Sequence, residues 1–307
     1  MLEELLARHP KILAECAIAE RLRRMPGIAL HSTLFNTPLI YGPAAARDAM
    51  SSLYVEYMQT AAAAGLPLLL TAPTWRLDAE RVAKAGVPET INEDAVAYLI
   101  SLRDRHASNE SVLVGALTGP QNDCYRPDLA PDASAAEIFH TPQIAALAGT
   151  AADFLLAQTL PALGEALGIA RAMAATRKPY FISFCTGTDG KLLDGTPLPD
   201  AMAYLDKQLT RPPVGYFVNC THPRFLIDNH RPGELDRLIG IQANASSKDV
   251  TQLDGSGATE ADPLENWSHA MLELHARHRV PILGGCCGTT TAHMRSLILQ
   301  TEMNRGC

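Results

Sequence analysis

The chain has 307 residues, of which 47% are apolar and 19% charged, a balance typical of a protein with a large packed core. Its formal net charge is −7 and its longest basic cluster is 21–24, which argues against nucleic-acid binding. No apolar stretch reaches the length that a membrane-spanning helix needs, so we expect no membrane association.

The N-terminal region mixes charged side chains such as Glu3, Arg8 and Lys11 with Leu and Ala at helical spacing. This pattern predicts an amphipathic helix over 1–24 and lacks the uninterrupted apolar centre of a secretory signal. The seven cysteines are an odd number. Without an export signal they indicate free thiols in a reducing compartment, and we expect a cytoplasmic protein.

Eight short apolar runs follow one another along the chain. They are rich in Leu, Ile, Val and Phe and lack apolar–polar alternation, which is typical of parallel strands covered on both faces. The predicted strands are 28–33, 66–71, 112–117, 154–159, 179–184, 214–219, 239–244 and 280–284.

Helical patterns separate these strands and continue to the end of the chain. The predicted helices are 44–64, 92–106, 141–151, 160–176, 199–209, 263–278 and 290–303. The alternation predicts one domain over 1–307, an α/β protein with the (β/α)8 architecture of a TIM barrel. An open doubly wound sheet shares the alternation, but no Gly-x-Gly-x-x-Gly follows an early strand. Two longer loops, 118–140 and 186–199, are either lids over the active-site face or solvated loops.

The motif with the clearest chemistry is Gly-Gly-Cys-Cys-Gly-Thr at 284–289, where the last predicted strand ends. Its glycines allow the backbone to turn so that both thiols converge. Cys220 ends the sixth predicted strand on the same rim. Three convergent thiolates favour zinc and leave a fourth coordination position open, as in catalytic zinc sites. We therefore predict Cys220, Cys286 and Cys287 as metal ligands and catalytic residues.

Other interpretations of the cysteines and of a nearby histidine stay open. The three thiols could be small buried apolar groups, or Cys286 and Cys287 could form a vicinal disulfide, which is strained and disfavoured in a reducing compartment. Packing and chemistry are equally compatible with Cys16, Cys124 and Cys185, and the terminal Cys307 is compatible with simple exposure. His222 would complete a closed structural zinc site, but Pro223 is expected to start a helix that carries His222 away from the thiols.

The 284–289 motif and the Asn219-Cys220 pair together resemble the homocysteine S-methyltransferase family, which includes betaine-homocysteine methyltransferase and the homocysteine domain of methionine synthase. The turn at 71–75 and the helix with Trp267 also resemble the family's equivalents. The resemblance implies a (β/α)8 barrel with one Zn²⁺ ion that takes the thiol substrate as its fourth ligand. It also implies transfer of a methyl group from an activated donor to that sulfur without a general base.

Two acidic motifs of the family are changed in this chain. The family's Asp-Gly-Gly at the end of the first strand is absent, and His31, Ser32 and Thr33 stand in that region. The family's Glu-Thr after the fourth strand, which helps to hold the substrate's amino group, is replaced by Gln158 and Thr159. The predicted substrate is therefore a thiol similar to homocysteine, and the sequence does not establish that it is homocysteine itself. The predicted substrate-binding residues are His31, Ser32, Thr33, Thr74, Trp75, Gln158, Thr159 and Asn219.

The predicted function is zinc-dependent S-methyl transfer between two small molecules, a thiol and a methyl donor. Trp75 and Tyr125 are candidates for a cation–π cage around a cationic donor, or for packing at the rim. A zinc hydrolase or lyase is one alternative, although three thiolates would make a bound water a poor acid. A non-catalytic thiol-binding or corrinoid-partner module is the other. The sequence leaves open the donor, the direction of transfer and whether a homo-oligomer forms.

Overall fold

Eight parallel strands close a barrel within the residues that the computed structural model describes, which are 2–107, 111–253 and 260–303. Each strand pairs with its neighbours in sequence, and the first pairs with the last through Ile12 opposite Ile282. The strands are β1 Ile12–Ala14, β2 Leu68–Ala72, β3 Val112–Thr118, β4 Phe154–Leu160, β5 Tyr180–Phe184, β6 Gly215–Asn219, β7 Leu238–Ala243 and β8 Ile282–Gly285. The predicted TIM barrel is confirmed.

Helices follow the strands around the outside. They are α1 Leu2–Arg8, α2 Ala19–Arg23, α3 Ala44–Ala63, α4 Ala79–Ala85, α5 Ile91–His106, α6 Ala133–Gly149, α7 Leu163–Ala174, α8 Leu198–Gln208, α9 Pro223–Asn229, α10 Val250–Leu253, α11 Leu264–His278 and α12 Thr291–Met303. Short 3₁₀ helices span Thr37–Ile40 and Pro127–Leu129. In the part of the chain that the structure describes, none of the helices combines the length and apolar character needed to cross a bilayer.

Aromatic side chains fill the interior of the barrel. Phe181 lies between Phe154 and Phe217, with ring centroids 5.4 and 5.1 Å away. Gly115 and Gly240 make room for this stack, because a Cβ at either position would come within 2.5 Å of a phenyl carbon. The centre of the barrel is therefore packed solid, and open space is left at the strand ends.

The loop after β3 ends earlier than predicted. Helix α6 begins at Ala133, where the Asp132 carboxylate accepts hydrogen bonds from the backbone N–H groups of Ser134 and Ala135. Asp at an N-cap stabilises a helix start in this way. Part of the predicted 118–140 loop is thus helical, and the loop over the barrel is shorter.

The N-terminal prediction was wrong. Residues 1–24 do not form one helix, because β1 lies between α1 and α2. The charged residues that suggested a solvent-facing helix surface, Lys11 and Glu15, flank this three-residue strand and are each 6% exposed. Lys11 donates to the Leu297 carbonyl and Glu15 accepts from Thr71, so both polar side chains are buried with hydrogen-bond partners.

The predicted first strand at 28–33 was also wrong, because the chain forms a turn there. Its residues are half-buried or exposed, and the chain reverses there as His31 and Phe35 exchange two backbone hydrogen bonds. The His31 ring accepts from the N–H groups of Thr33 and Leu34, both at 3.1 Å. A turn closed by its own histidine replaces the expected strand, and His31, Ser32 and Thr33 do not stand at the end of a barrel strand.

Candidate metal centre

A cavity of about 880 Å³ opens at the carboxyl ends of the strands. Its wall includes side chains that follow β1, β2, β4, β6 and β8, together with the loop after β3. In a TIM barrel this face carries the active site. The cavity is therefore the place where the predicted site residues should meet.

Three thiols come together in the wall of this cavity. The sulfurs of Cys220, Cys286 and Cys287 lie within 4.8 Å of one another. The Cys220 Sγ is 3.0 Å from the Cys286 Sγ, which is 4.0 Å from the Cys287 Sγ. Cys220 is buried, Cys286 is partly exposed and Cys287 is exposed. The group therefore has a protected side and an open side.

The turn after β8 brings two adjacent thiols to one side of the chain. Cys286 donates its backbone N–H to the Ala243 carbonyl at 2.7 Å, and the Thr289 hydroxyl donates to the Cys286 carbonyl at 2.6 Å. Gly288 has a φ of 79°, which a side chain would strain. At Gly285 a Cβ would lie 2.6 Å from the Thr289 Cβ. The glycines on either side of the Cys-Cys pair are therefore needed by the turn itself.

The Asn219 side chain hydrogen-bonds to both Thr159 and Cys220. Its amide nitrogen donates to the Thr159 hydroxyl at 2.7 Å and to the Cys220 Sγ at 3.3 Å. Its amide oxygen accepts from the Thr159 N–H at 2.8 Å and from the Ser183 hydroxyl at 2.6 Å. Thr159 and Cys220 both have positive φ angles, 65° and 51°. This network fixes two strained backbone positions and thereby the direction of the Cys220 sulfur.

The donor set fits a soft divalent cation. The hydrogen bond with Cys220, together with burial, raises the pKa of the Cys286 thiol well above its ordinary value. Closely spaced thiols resist ionising together, whereas a bound cation reverses this balance and takes thiolates. Sulfur ligands favour zinc and other soft metals over magnesium or calcium. The three cysteines are therefore a plausible set of zinc ligands on chemical grounds.

The other described cysteines lie outside this group and are free thiols. Cys185 is fully buried next to Cys220 and donates a weak hydrogen bond to its carbonyl at 3.8 Å. Burial raises the pKa of Cys16 to about 12. Cys124 is buried in the loop after β3, and Cys307 lies outside the described residues. Cys286 and Cys287 form no vicinal disulfide.

His222 serves the neighbouring helix. The expected helix start at Pro223 is confirmed, and the His222 Nδ1 accepts from the Arg224 N–H at the N-cap of α9. The His222 Nε2 lies 3.5 Å from a carboxylate oxygen of Asp262. Burial lowers the pKa of His222 to about 4. Within the described residues it is not a member of the thiol group.

The predicted substrate-binding residues separate into three sets. Trp75, Gln158 and Thr159 line the cavity. Thr74 and Asn219 are buried behind its wall, and Thr74 exchanges hydrogen bonds with both the N–H and the carbonyl of Leu117. The cavity wall does not include His31, Ser32 and Thr33.

Glu15 is a cavity residue that the sequence interpretation missed. It follows β1, lines the cavity and accepts hydrogen bonds from the Thr71 N–H at 2.9 Å and from the Thr71 hydroxyl. Burial raises its pKa from 4.5 to about 8. The available signal was the short run Ile12-Leu13-Ala14 followed directly by an acidic residue, which the wider helical pattern obscured. An acidic side chain is therefore present at the end of the first strand.

The comparisons with known proteins agree on one family. A homocysteine S-methyltransferase family model matches residues 8–299. The chain is 24% identical over 319 residues to Homocysteine S-methyltransferase YbgG of Bacillus subtilis, covering 96% of both proteins. It is 29% identical over 187 residues to Homocysteine S-methyltransferase of Escherichia coli, covering 56% of both.

Solved structures of the Homocysteine Methyltransferase MmuM from Escherichia coli share the fold. The metallated form matches with a TM-score of 0.74 at 22% identity, covering 97% of this chain and 99% of that chain. The oxidised form matches with a TM-score of 0.77 at 21% identity and the same coverage. Because the family model spans nearly the whole described barrel, the chain belongs to the homocysteine S-methyltransferase family and is a methyltransferase.

Proposed function

We propose that the protein transfers a methyl group from an activated donor to a thiol held on zinc by Cys220, Cys286 and Cys287. The observation that carries the proposal is the convergence of three sulfurs within 4.8 Å in the wall of a large cavity. A zinc ion held there would keep an incoming thiol ionised near neutral pH and therefore nucleophilic.

The chain's own residues position this chemistry. Asn219 directs the Cys220 sulfur, and the turn after β8 directs the other two. No side chain needs to accept a proton during methyl transfer to an already ionised sulfur. The remaining task is to orient the donor and to exclude water, which the cavity wall supplies.

A homocysteine-like amino thiol is the acceptor that the cavity fits best. Gln158 is neutral, and its amide donates to the Gln242 side chain at 2.6 Å, so it offers no charge to an ammonium group. Glu15 supplies an acidic group in the same cavity wall. An arriving ammonium would favour the ionised form of Glu15, which burial disfavours in its absence.

The alternatives receive less support from the cavity. A non-catalytic module that had lost its substrate pocket would not need about 880 Å³ of space beside the thiols. A hydrolase would need an acidic metal-bound water, and three thiolates donate too much charge for that. Neither alternative explains three convergent thiols in the wall of a large cavity as directly as thiol binding does.

Cobalt substitution tests the proposal. We expect about one cobalt ion per chain, and a sulfur-to-cobalt charge-transfer band that grows when homocysteine is added, because a fourth sulfur joins the metal. Cys286→Ala should lose most of the bound metal. Cys185→Ala is the matched control, since Cys185 is a neighbouring buried thiol outside the group, and it should retain both metal and band. Full metal retention by Cys286→Ala, or a spectrum indifferent to thiols, would contradict the proposal.

A further inference from the structure

Arg76 is a charged side chain in the cavity wall with no polar partner among the described residues. It follows β2 and lines the cavity. Its Nε atom is buried and has no hydrogen-bond partner in that part of the chain. Nor, in the described part of the chain, does an acidic side chain form an ion pair with Arg76. Arg76 is half-buried, and because an arginine stays charged in proteins, withdrawing part of it from water without a partner is costly.

Aromatic rings hold the guanidinium of Arg76 in place. Its Cζ lies 4.7 Å from the Trp75 ring centroid and 5.8 Å from that of Phe35. Phe35 has a φ of 51°, an unusual conformation for a bulky residue. A guanidinium stacked on a ring uses its face for the ring and leaves its N–H edge free for another group. The stacking thus positions the charge and does not satisfy its donors.

The segment that carries Arg76 is itself fixed. The Trp75 Nε1 donates to the Gln158 carbonyl at 3.0 Å, and the Trp75 carbonyl accepts from the Gly119 N–H at 2.8 Å. A Cβ at position 119 would lie 2.5 Å from the Trp75 Nε1, so a glycine is needed there. The donor edge of Arg76 is therefore presented by a preorganised wall.

The carboxylates near Arg76 are already used or exposed. Asp78 pairs with Arg81, which also donates to the Gln121 carbonyl. Asp123 is exposed and accepts from the Tyr125 N–H at 2.9 Å. Burial, followed by the charge of Arg81, lowers the pKa of Arg76 below its ordinary value. An added anion would therefore be attracted to Arg76.

We propose that Arg76 binds the carboxylate of a small-molecule substrate of this enzyme. The inference rests on the proposed function and deepens it, because it limits one of the two substrates to compounds that carry a carboxylate. The planar guanidinium fork matches a carboxylate and can donate two parallel hydrogen bonds. Trp75 then supports Arg76, and the stacked face of its indole is not available to a cationic methyl donor.

The experiment compares ligands that differ by one carboxylate. For the acceptor the pair is homocysteine and 3-aminopropane-1-thiol, titrated into the cobalt-substituted protein. For the donor the pair is S-methylmethionine and (3-aminopropyl)dimethylsulfonium, titrated by calorimetry. We expect Arg76→Gln to weaken binding of the carboxylate-bearing member of one pair by roughly 10- to 100-fold, the usual effect of losing a charged hydrogen bond. The decarboxylated member should be unaffected, and the affected pair identifies the substrate concerned.

Two further variants separate recognition from structure. Arg76→Lys should recover part of the affinity, because it keeps the charge without the planar fork. Arg237→Gln is the matched control, since Arg237 also lies over an aromatic ring, that of Tyr216, but is paired with Asp206 and is not in the cavity wall. It should leave all four affinities unchanged.

The results that would overturn the inference are distinct from those that would overturn the proposed function. Equal weakening of both members of a pair, or no weakening of either carboxylate-bearing ligand, would rule out carboxylate recognition by Arg76. A wild-type cobalt protein with no thiol response would instead contradict thiol binding on the metal. The calorimetric donor pair would then still decide the role of Arg76.

Discussion

At the scale of single residues, burial has the same consequence for two acidic groups in the cavity wall, because it contributes to raising the pKa of both Glu15 and Cys286. The buried carboxyl group of Glu15 hydrogen-bonds to Thr71, and its pKa rises to about 8, so it is mostly neutral at pH 7. The Cys286 thiol is also held neutral. A cation placed beside either group would favour its ionised form.

Glu15 makes stability depend on pH. Its folded pKa of about 8 exceeds the ordinary value of 4.5, so the folded state binds more protons between these values. Stability from Glu15 is therefore complete below pH about 4.5 and is lost as the pH rises to about 8. We expect Glu15→Gln to remove this loss, because a neutral amide can keep both contacts with Thr71. Urea unfolding of both proteins from pH 5 to pH 9 measures the difference.

The difference between the two proteins isolates Glu15 from other groups. His222, whose lowered pKa of about 4 destabilises the folded state in acid, is unchanged in both. We expect Glu15→Gln to be more stable than wild type at pH 9 by up to a few kcal/mol, since each pKa unit is worth about 1.4 kcal/mol. A constant difference across the whole pH range would contradict a raised pKa for Glu15.

At the scale of elements, the site depends on turns and helices that follow the strands. Helix α7 packs closely on α6, and Gly168 is the point of contact. A Cβ at Gly168 would lie 2.6 Å from the Ala136 Cβ and 2.7 Å from the Glu137 nitrogen. The buried Glu165 at the start of α7 accepts from the Gln121 N–H at 2.6 Å. The helix pair therefore supports the loop after β3 that covers the cavity.

Gly168→Ala should separate the two helices. The added methyl group meets backbone atoms that cannot rotate away, so we expect a loss of about 1–3 kcal/mol in unfolding free energy. Gly149→Ala is the control, because no atom lies within 4 Å of a Cβ at the end of α6. Chemical denaturation of both variants measures the effect. Equal losses of unfolding free energy in the two variants would contradict close packing of α6 and α7 at Gly168.

The elements also show where sequence patterns succeed and fail. The strand β3 was predictable because a strand buried on both faces is a continuous apolar run. The helix α3 was predictable because a helix buried on one face repeats its apolar residues at helical spacing. The strand β1 was not, because it has three residues and its flanking polar side chains hydrogen-bond to partners distant in sequence. The site residue Glu15 was lost with it.

At the scale of the whole molecule, barrel closure brings together thiols that are 66 residues apart in sequence. This convergence could be predicted, because β6 and β8 end on the same rim of any (β/α)8 barrel. The placement of Arg76 against Phe35 could not be predicted. It depends on which rings and carboxylates face each other across loops, and no local period encodes that arrangement. The fold and the convergence of the three thiols are therefore predictable from sequence, whereas the arrangement of the other side chains in the cavity wall is not.

Zinc K-edge X-ray absorption spectroscopy tests the central claim most directly, because it counts the sulfur atoms bound to the metal. For the zinc-loaded protein without substrate we expect three sulfurs at about 2.3 Å and one lighter atom. Addition of homocysteine should convert this to four sulfurs. A site with nitrogen ligands in place of the thiols, or an unchanged sulfur count after homocysteine binds, would contradict a three-cysteine zinc centre that accepts the substrate thiol.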